Sequence, residues 1–142
     1  MLSGITCVKR MASMLAVDTN VLVRLTIRDD APQLAAATAY IANGAWVSHV
    51  VVCEAIWVLA SFYQFTRAQQ REFVAKLLTN GLLLIQDADV VASALQHFQR
   101  GAKVRFSDCM ILELARKSGH TPLGTFDGEL SKLDGAEKLV AR

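Results

Sequence analysis

The strongest constraint on the fold is an alternation of short apolar runs with longer segments of helical character. The apolar runs lie at residues 15–17, 46–47, 82–85 and 123–126. Several helical segments between them end at a glycine stop signal, as in Asn43-Gly44 and Asn80-Gly81. Short apolar strands that alternate with helices predict a parallel sheet with helices on both faces, which is an α/β fold.

Length and composition restrict the class of protein. A chain of 142 residues has the size of one ordinary domain and can fold without a metal or a disulfide. Its apolar fraction of 53% excludes a disordered chain, and a net charge of +2 does not by itself indicate a protein that coats nucleic acid or membranes. We expect a single domain over residues 14–142. Residues 1–13 are predicted to be an N-terminal extension, from an early start codon or from cloning, because the first strand needs only Leu15 onward.

The cysteines and the most apolar segment indicate the cellular compartment of the protein and whether it spans a membrane. Cys7, Cys53 and Cys109 are odd in number and have no CxxC spacing, which predicts reduced thiols and a cytoplasmic protein. The window from residue 46 to residue 65 carries Glu54 near its centre, and a charge there disfavours a membrane span. We interpret it as a buried helix that contains a carboxylate, with Ser48 as its N-cap.

Five acidic residues have apolar neighbours instead of lying in polar stretches. Asp18 and Asp127 each follow a predicted strand, Asp108 lies in the first turn of a predicted helix, and Glu54 and Glu113 interrupt apolar helical segments. In parallel sheets, ligands bind beyond the carboxyl ends of the strands, where four of these acids can meet. Glu113 is excluded, because it lies about 140° around the helix from Asp108.

Four carboxylates in one crevice, with no lysine or histidine in their motifs, suit a hard divalent cation, Mg²⁺ or Mn²⁺. Such a cation can activate water and stabilise charge on a phosphodiester. Two acids also have a structural interpretation, Asp18 as a helix N-cap and Asp108 as a partner of a helix dipole. Mutual repulsion would raise the pKa of these acids, so Asp127→Asn is expected to stabilise the metal-free protein. The three histidines share no ligand spacing and receive no role.

Four motifs in this order resemble those of the PIN-domain ribonucleases, in particular the VapC-type toxins of bacterial toxin–antitoxin pairs. The matching segments are Met14–Arg24, Val52–Leu59, Phe106–Asp108 and Thr125–Asp127. The resemblance covers the chain from Met14 to the C-terminus. It implies a PIN-like three-layer sandwich with a short parallel sheet flanked by helices. It also implies metal-dependent endonucleolytic cleavage of RNA, a homodimer and inhibition by a small cognate antitoxin.

The resemblance assigns roles to residues of this chain. Asp18 and Asp108 would be the main ligands of the Mg²⁺ or Mn²⁺ ion, and Asp127 and Glu54 would complete the catalytic site directly or through water. Further polar residues would orient these carboxylates or a ligand water, namely Thr19, Asn20 and Thr125. Ordinary turn and cap chemistry is the alternative interpretation of these three.

Basic residues near the motifs are candidates to bind RNA phosphates, because an acidic site would otherwise repel the RNA polyanion. They are Arg24, Arg28, Arg100, Lys103 and Arg105. For most of them, a solvated surface is the simpler interpretation.

Two other functions remain open. A haloacid-dehalogenase-like, Mg²⁺-dependent phosphatase also has an aspartate after its first strand, but Asn20 stands where its second aspartate is needed. A catalytically silent PIN-like module that binds RNA or protein is the second alternative, and the presence of all four acids argues against it.

Overall fold

The computed structural model describes residues 14–100 and 103–142, so the predicted extension at residues 1–13 lies outside the described residues. The helices are α1 (Thr19–Ile27), α2 (Ala31–Ile41), α3 (His49–Phe62), α4 (Arg67–Thr79), α5 (Ala88–Gln99) and α6 (Phe106–Lys117). The strands are β1 (Leu15–Ala16), β2 (Ala45–Val47), β3 (Leu83–Ile85), β4 (Leu123–Thr125) and β5 (Ala136–Lys138). A 3₁₀ turn covers Leu130–Lys132.

The strands form two parallel groups. Strands β1, β2 and β3 lie side by side in that order, with Ala45 paired to Leu15 on one side and to Leu83 on the other. Strands β4 and β5 form a second parallel pair, in which Leu123 lies opposite Ala136. The predicted α/β fold, with a short parallel sheet flanked by helices, is confirmed.

The core ties the start of α6 to the rest of the molecule. The rings of Phe98 and Phe106 meet edge to face at 5.9 Å, and both side chains are almost fully buried. The guanidinium carbon of Arg67 lies 3.8 Å from the centre of the Phe98 ring, and Arg67 donates a hydrogen bond of 2.7 Å to the carbonyl of Val104. These contacts fix the first turn of α6, which carries Asp108.

Helix α3 is capped as predicted, but one expectation about it is wrong. The Ser48 hydroxyl accepts a hydrogen bond of 3.1 Å from the amide of Val51. Glu54, however, is exposed and not buried. Val52 and Leu59 face the core, whereas Glu54 lies on the opposite, outward side of the helix, so its carboxylate stays in water. Periodicity within an almost wholly apolar helix could not show which side carries the exposed face.

The described cysteines are free thiols. Cys109 is buried and Cys53 is partly buried, and burial raises the pKa of each thiol to about 11. A thiol with so high a pKa is a weak nucleophile at neutral pH. Cys7 lies outside the described residues. Within the described ranges, none of the helices has the length and apolarity needed to cross a membrane.

Candidate functional site

Asp18 stands at the junction of the sheet and helix α1. The preceding residue, Val17, extends the pairing of β1 through a hydrogen bond from its amide to the carbonyl of Trp46. Asp18 is the N-cap of α1, and its Oδ1 accepts a hydrogen bond of 3.2 Å from the amide of Val21. The predicted cap is confirmed. The cap also orients the carboxylate, which is exposed just beyond the carboxyl end of β1.

The polar residues assigned to orient the acids occupy three different environments. Thr19, directly after Asp18, is buried with 7% of its surface exposed, and Asn20 is exposed in the first turn of α1. The Thr125 hydroxyl accepts a hydrogen bond of 3.0 Å from the amide of Asp127. Thr125 therefore contacts the candidate acid Asp127, through the backbone amide of Asp127 and not through its carboxylate.

Asp127 caps the turn that follows β4. Its Oδ1 accepts hydrogen bonds from the amides of Glu129 at 2.8 Å and Leu130 at 3.0 Å. The pKa of Asp127 is lowered by the hydrogen bond from Leu130, then by that from Glu129, with a smaller contribution from the positive charge of Arg105. Our expectation that repulsion raises this pKa is wrong, because two backbone amides donate to Oδ1 and stabilise the charged form of the carboxylate.

Asp108 lies in the first turn of α6 and is more enclosed than the other candidate acids. Its side chain is 13% exposed, and its Oδ2 lies 3.6 Å from Nε of Arg105, the N-cap residue of the same helix. The amide of Arg105 donates a hydrogen bond of 3.4 Å to the same oxygen. The positive charge of Arg105 also makes the smallest of the contributions to the lowered pKa of Asp127.

The donor chemistry of the candidate acids fits a hard divalent cation, because all four offer carboxylate oxygens. The four carboxylates are farther apart than the ligands of a formed metal site. Within residues 14–100 and 103–142, no three His, Cys, Asp or Glu side chains form a cluster that could hold a metal ion. Asp108 is paired with Arg105, and Asp127 caps the turn after β4. Asp18 lies beyond β1, and Glu54 lies on the exposed face of α3.

The buried acid of this structure is the one that the sequence analysis excluded. Glu113 is 8% exposed, and its Oε1 lies 2.5 Å from Nε2 of His97 on α5. Its Oε2 accepts a hydrogen bond of 3.2 Å from Nε of Arg116, which also donates to the backbone carbonyl of Asp134. The sequence could have indicated the pairing with Arg116, because a residue three positions after Glu113 lies on the same side of a helix. The contact with His97 depends on the packing of α5 against α6. Glu113 thus links α5, α6 and the turn before β5.

A second group of charged residues that the sequence analysis missed lies beyond β2 and β3. Nζ of Lys117 lies 3.0 Å from a carboxylate oxygen of Asp87 and 3.0 Å from one of Asp89. These hydrogen bonds raise the pKa of Lys117, first through Asp87, and the bond to Lys117 lowers the pKa of Asp89. Because Lys117 is already paired with two acids, it ties the end of α6 to the start of α5.

The comparison with protein families gives one match. The model of the PIN domain matches residues 15–136, which covers all four candidate acids and most of the chain. No curated protein and no solved structure matches the sequence. PIN domains are typically nucleases, and such nucleases generally use divalent metal ions, so the match indicates a hydrolase of nuclease type. The match extends over far more than half of the sequence, and the chain therefore belongs to the PIN-domain family.

Proposed function

We propose that this protein is a metal-dependent endoribonuclease that hydrolyses RNA phosphodiester bonds. The observation that carries the proposal is the PIN-domain match over residues 15–136, which includes all four candidate acids, among them the enclosed Asp108 carboxylate.

In this proposal, Asp18 and Asp108 are the main ligands of Mg²⁺ or Mn²⁺, and Asp127 and Glu54 complete the set directly or through water. A bound divalent cation would supply an activated water and stabilise the charge that develops on the phosphate. The chain's own contribution is orientation. The cap of α1 holds the Asp18 carboxylate, and the enclosure of Asp108 limits the freedom of its side chain. The polar residues Thr19, Asn20 and Thr125 would support this arrangement.

Among the basic candidates, Arg105 forms an ion pair with a candidate acid, Asp108. Arg24 is instead paired with Asp29 at 2.9 Å. Arg28 ends helix α1, ten residues after Asp18, which is about 15 Å along a helix at the usual rise per residue. An RNA phosphate at the acids would therefore meet Arg105 first.

We further propose the biological role of a VapC-type toxin in the cytoplasm, with a small antitoxin protein as its inhibitor and a homodimer as its assembly. Part of the support is the outward face of α3, where Val50, Trp57 and Phe62 are each more than half exposed. Apolar side chains grouped on one exposed face commonly mark a partner surface.

One observation favours a second candidate, a catalytically silent PIN module that binds RNA or protein. In the part of the chain that the structure describes, the acids do not form a cluster of three that could hold a metal ion. RNA cleavage with and without EDTA separates the two functions. The nuclease cuts a labelled single-stranded RNA in Mn²⁺ and stops in EDTA, whereas the silent module binds the RNA without cutting it.

The direct test of the site is Asp18→Asn and Asp108→Asn. Loss of a residue that merely orients a ligand commonly lowers metal affinity or activity by about 10–100-fold, so loss of a main ligand should lower RNA cleavage by at least about 100-fold. Asparagine caps helices as well as aspartate does, so Asp18→Asn should keep its circular dichroism spectrum.

Asp30→Asn is the matched control, because Asp30 caps α2 through the same contact, 3.0 Å from Oδ1 to the amide of Gln33. This variant should cut RNA at the wild-type rate. A folded Asp18→Asn protein with undiminished cleavage would refute the assignment.

A further inference from the structure

We propose that Arg105 is a counter-cation of Asp108 that would leave this carboxylate on binding of a divalent cation and would then bind an RNA phosphate. This inference rests on the proposed function and assigns a positioning and substrate-binding role to one residue. It predicts that Arg105 opposes metal binding while it assists RNA binding.

The geometry places Arg105 at the edge of the site. It immediately precedes α6, and its Nε lies 3.6 Å from Oδ2 of Asp108. The two partners differ in exposure, since the side chain of Arg105 is 81% exposed and that of Asp108 is 13% exposed. The acid is thus held in place, whereas the guanidinium is in solvent and can turn away without opening the core.

The ion pair with Arg105 compensates part of the negative charge of Asp108. A divalent cation at this carboxylate would carry twice the charge of the guanidinium and would repel it.

Release of Arg105 would place a cation where the proposed substrate needs one. Guanidinium groups bind phosphate oxygens through two parallel hydrogen bonds, a geometry that an ammonium group cannot reproduce. The same side chain would thus compensate Asp108 before the metal binds and the RNA backbone afterwards. A residue with a purely structural role would not change metal affinity and RNA affinity in opposite directions.

The experiment measures Mn²⁺ binding by calorimetry for wild type, Arg105→Gln and Arg105→Lys, with the full chain. An exposed ion pair is worth no more than about 1 kcal/mol, so Arg105→Gln should bind Mn²⁺ about two- to fivefold more tightly. Steady-state cleavage of a labelled single-stranded RNA at saturating Mn²⁺ should show a raised KM, with a smaller effect on kcat. Arg105→Lys keeps the charge and should restore the wild-type Mn²⁺ affinity.

Lys76→Gln is the matched control, because it also removes one exposed cation from a local ion pair, 2.9 Å from Glu72 on α4. It should leave both Mn²⁺ affinity and KM unchanged. If wild type and Arg105→Gln bind Mn²⁺ equally, the role of Arg105 is refuted while the proposed nuclease stands. If wild type binds no Mn²⁺, the metal-dependent function itself fails, and the inference fails with it.

Discussion

At the scale of residues, the carboxylates of Asp18 and Asp127 cap local structure and are also the groups that the proposed metal would bind. Asp18 caps α1 and Asp127 caps the turn after β4, in both cases through Oδ1. A cap and a metal ligand are therefore compatible in one side chain, and the capping hydrogen bonds orient it without a separate supporting residue.

The lowered pKa of Asp127 predicts how acid affects the fold. A group whose pKa is lower in the folded state stabilises the protein above its unfolded pKa of about 3.9, and this contribution is lost as the pH falls through the folded pKa. Asp127→Asn should therefore melt below wild type in EDTA at pH 6–7. The difference should shrink below about pH 4.

Melting curves of both proteins between pH 3 and pH 7 test this expectation. Asp134→Asn is the control, because the side chain of Asp134 is 98% exposed and a surface substitution of this kind usually changes stability by less than about 0.5 kcal/mol. An Asp127→Asn protein that melts above wild type at pH 7 in EDTA would restore the repulsion hypothesis.

At the scale of elements, helices α5 and α6 are joined by Glu113. Its contacts to His97 and Arg116 leave the buried carboxylate with charged or polar partners on both oxygens. Glu113→Gln keeps the shape of the side chain but removes the negative charge that pairs with His97 and Arg116. It should therefore lower the free energy of unfolding by about 1–3 kcal/mol.

Urea unfolding measures this loss, with Glu72→Gln as the control, since Glu72 forms an exposed ion pair on α4. The control should unfold within about 0.5 kcal/mol of wild type. Equal midpoints for the two variants would mean that the buried pairing contributes nothing to the joining of α5 and α6. RNA cleavage by Glu113→Gln should persist at temperatures where it is folded, because Glu113 lies outside the proposed ligand set.

At the scale of the whole molecule, the outward face of α3 predicts how copies of the chain meet. Trp57 and Phe62 are 57% and 65% exposed, and their rings meet edge to face at 5.7 Å. Aromatic side chains are frequent anchors of protein interfaces. We expect wild type to be a dimer in light scattering at micromolar concentration, and Trp57→Glu to be a monomer.

Tyr40→Glu is the matched control for that substitution, because Tyr40 is an exposed aromatic residue on a different helix, α2. It should leave the mass of the particle unchanged. A melting temperature that rises with protein concentration in wild type, and not in Trp57→Glu, would be independent support for a dimer. A strict monomer in wild type at micromolar concentration contradicts the prediction.

The sequence alone determined the features that depend on neighbours along the chain. The alternation of apolar runs and helical segments predicted the parallel α/β fold, and the positions of Ser48 and Asp18 before their helices predicted two caps. Cap contacts span three residues, so the order of residues is enough to locate them. The order of the four acidic motifs likewise indicated the PIN family, which the family match over residues 15–136 confirms.

Only the tertiary structure decided which acids are buried and which cations they meet. Glu54 is exposed and Glu113 is buried, although both interrupt apolar helices, because burial depends on which helix face packs against a neighbouring element. The contact of Glu113 with His97 depends in turn on how α5 packs against α6. Such contacts join segments that are far apart in sequence, and periodicity within one segment carries no information about them.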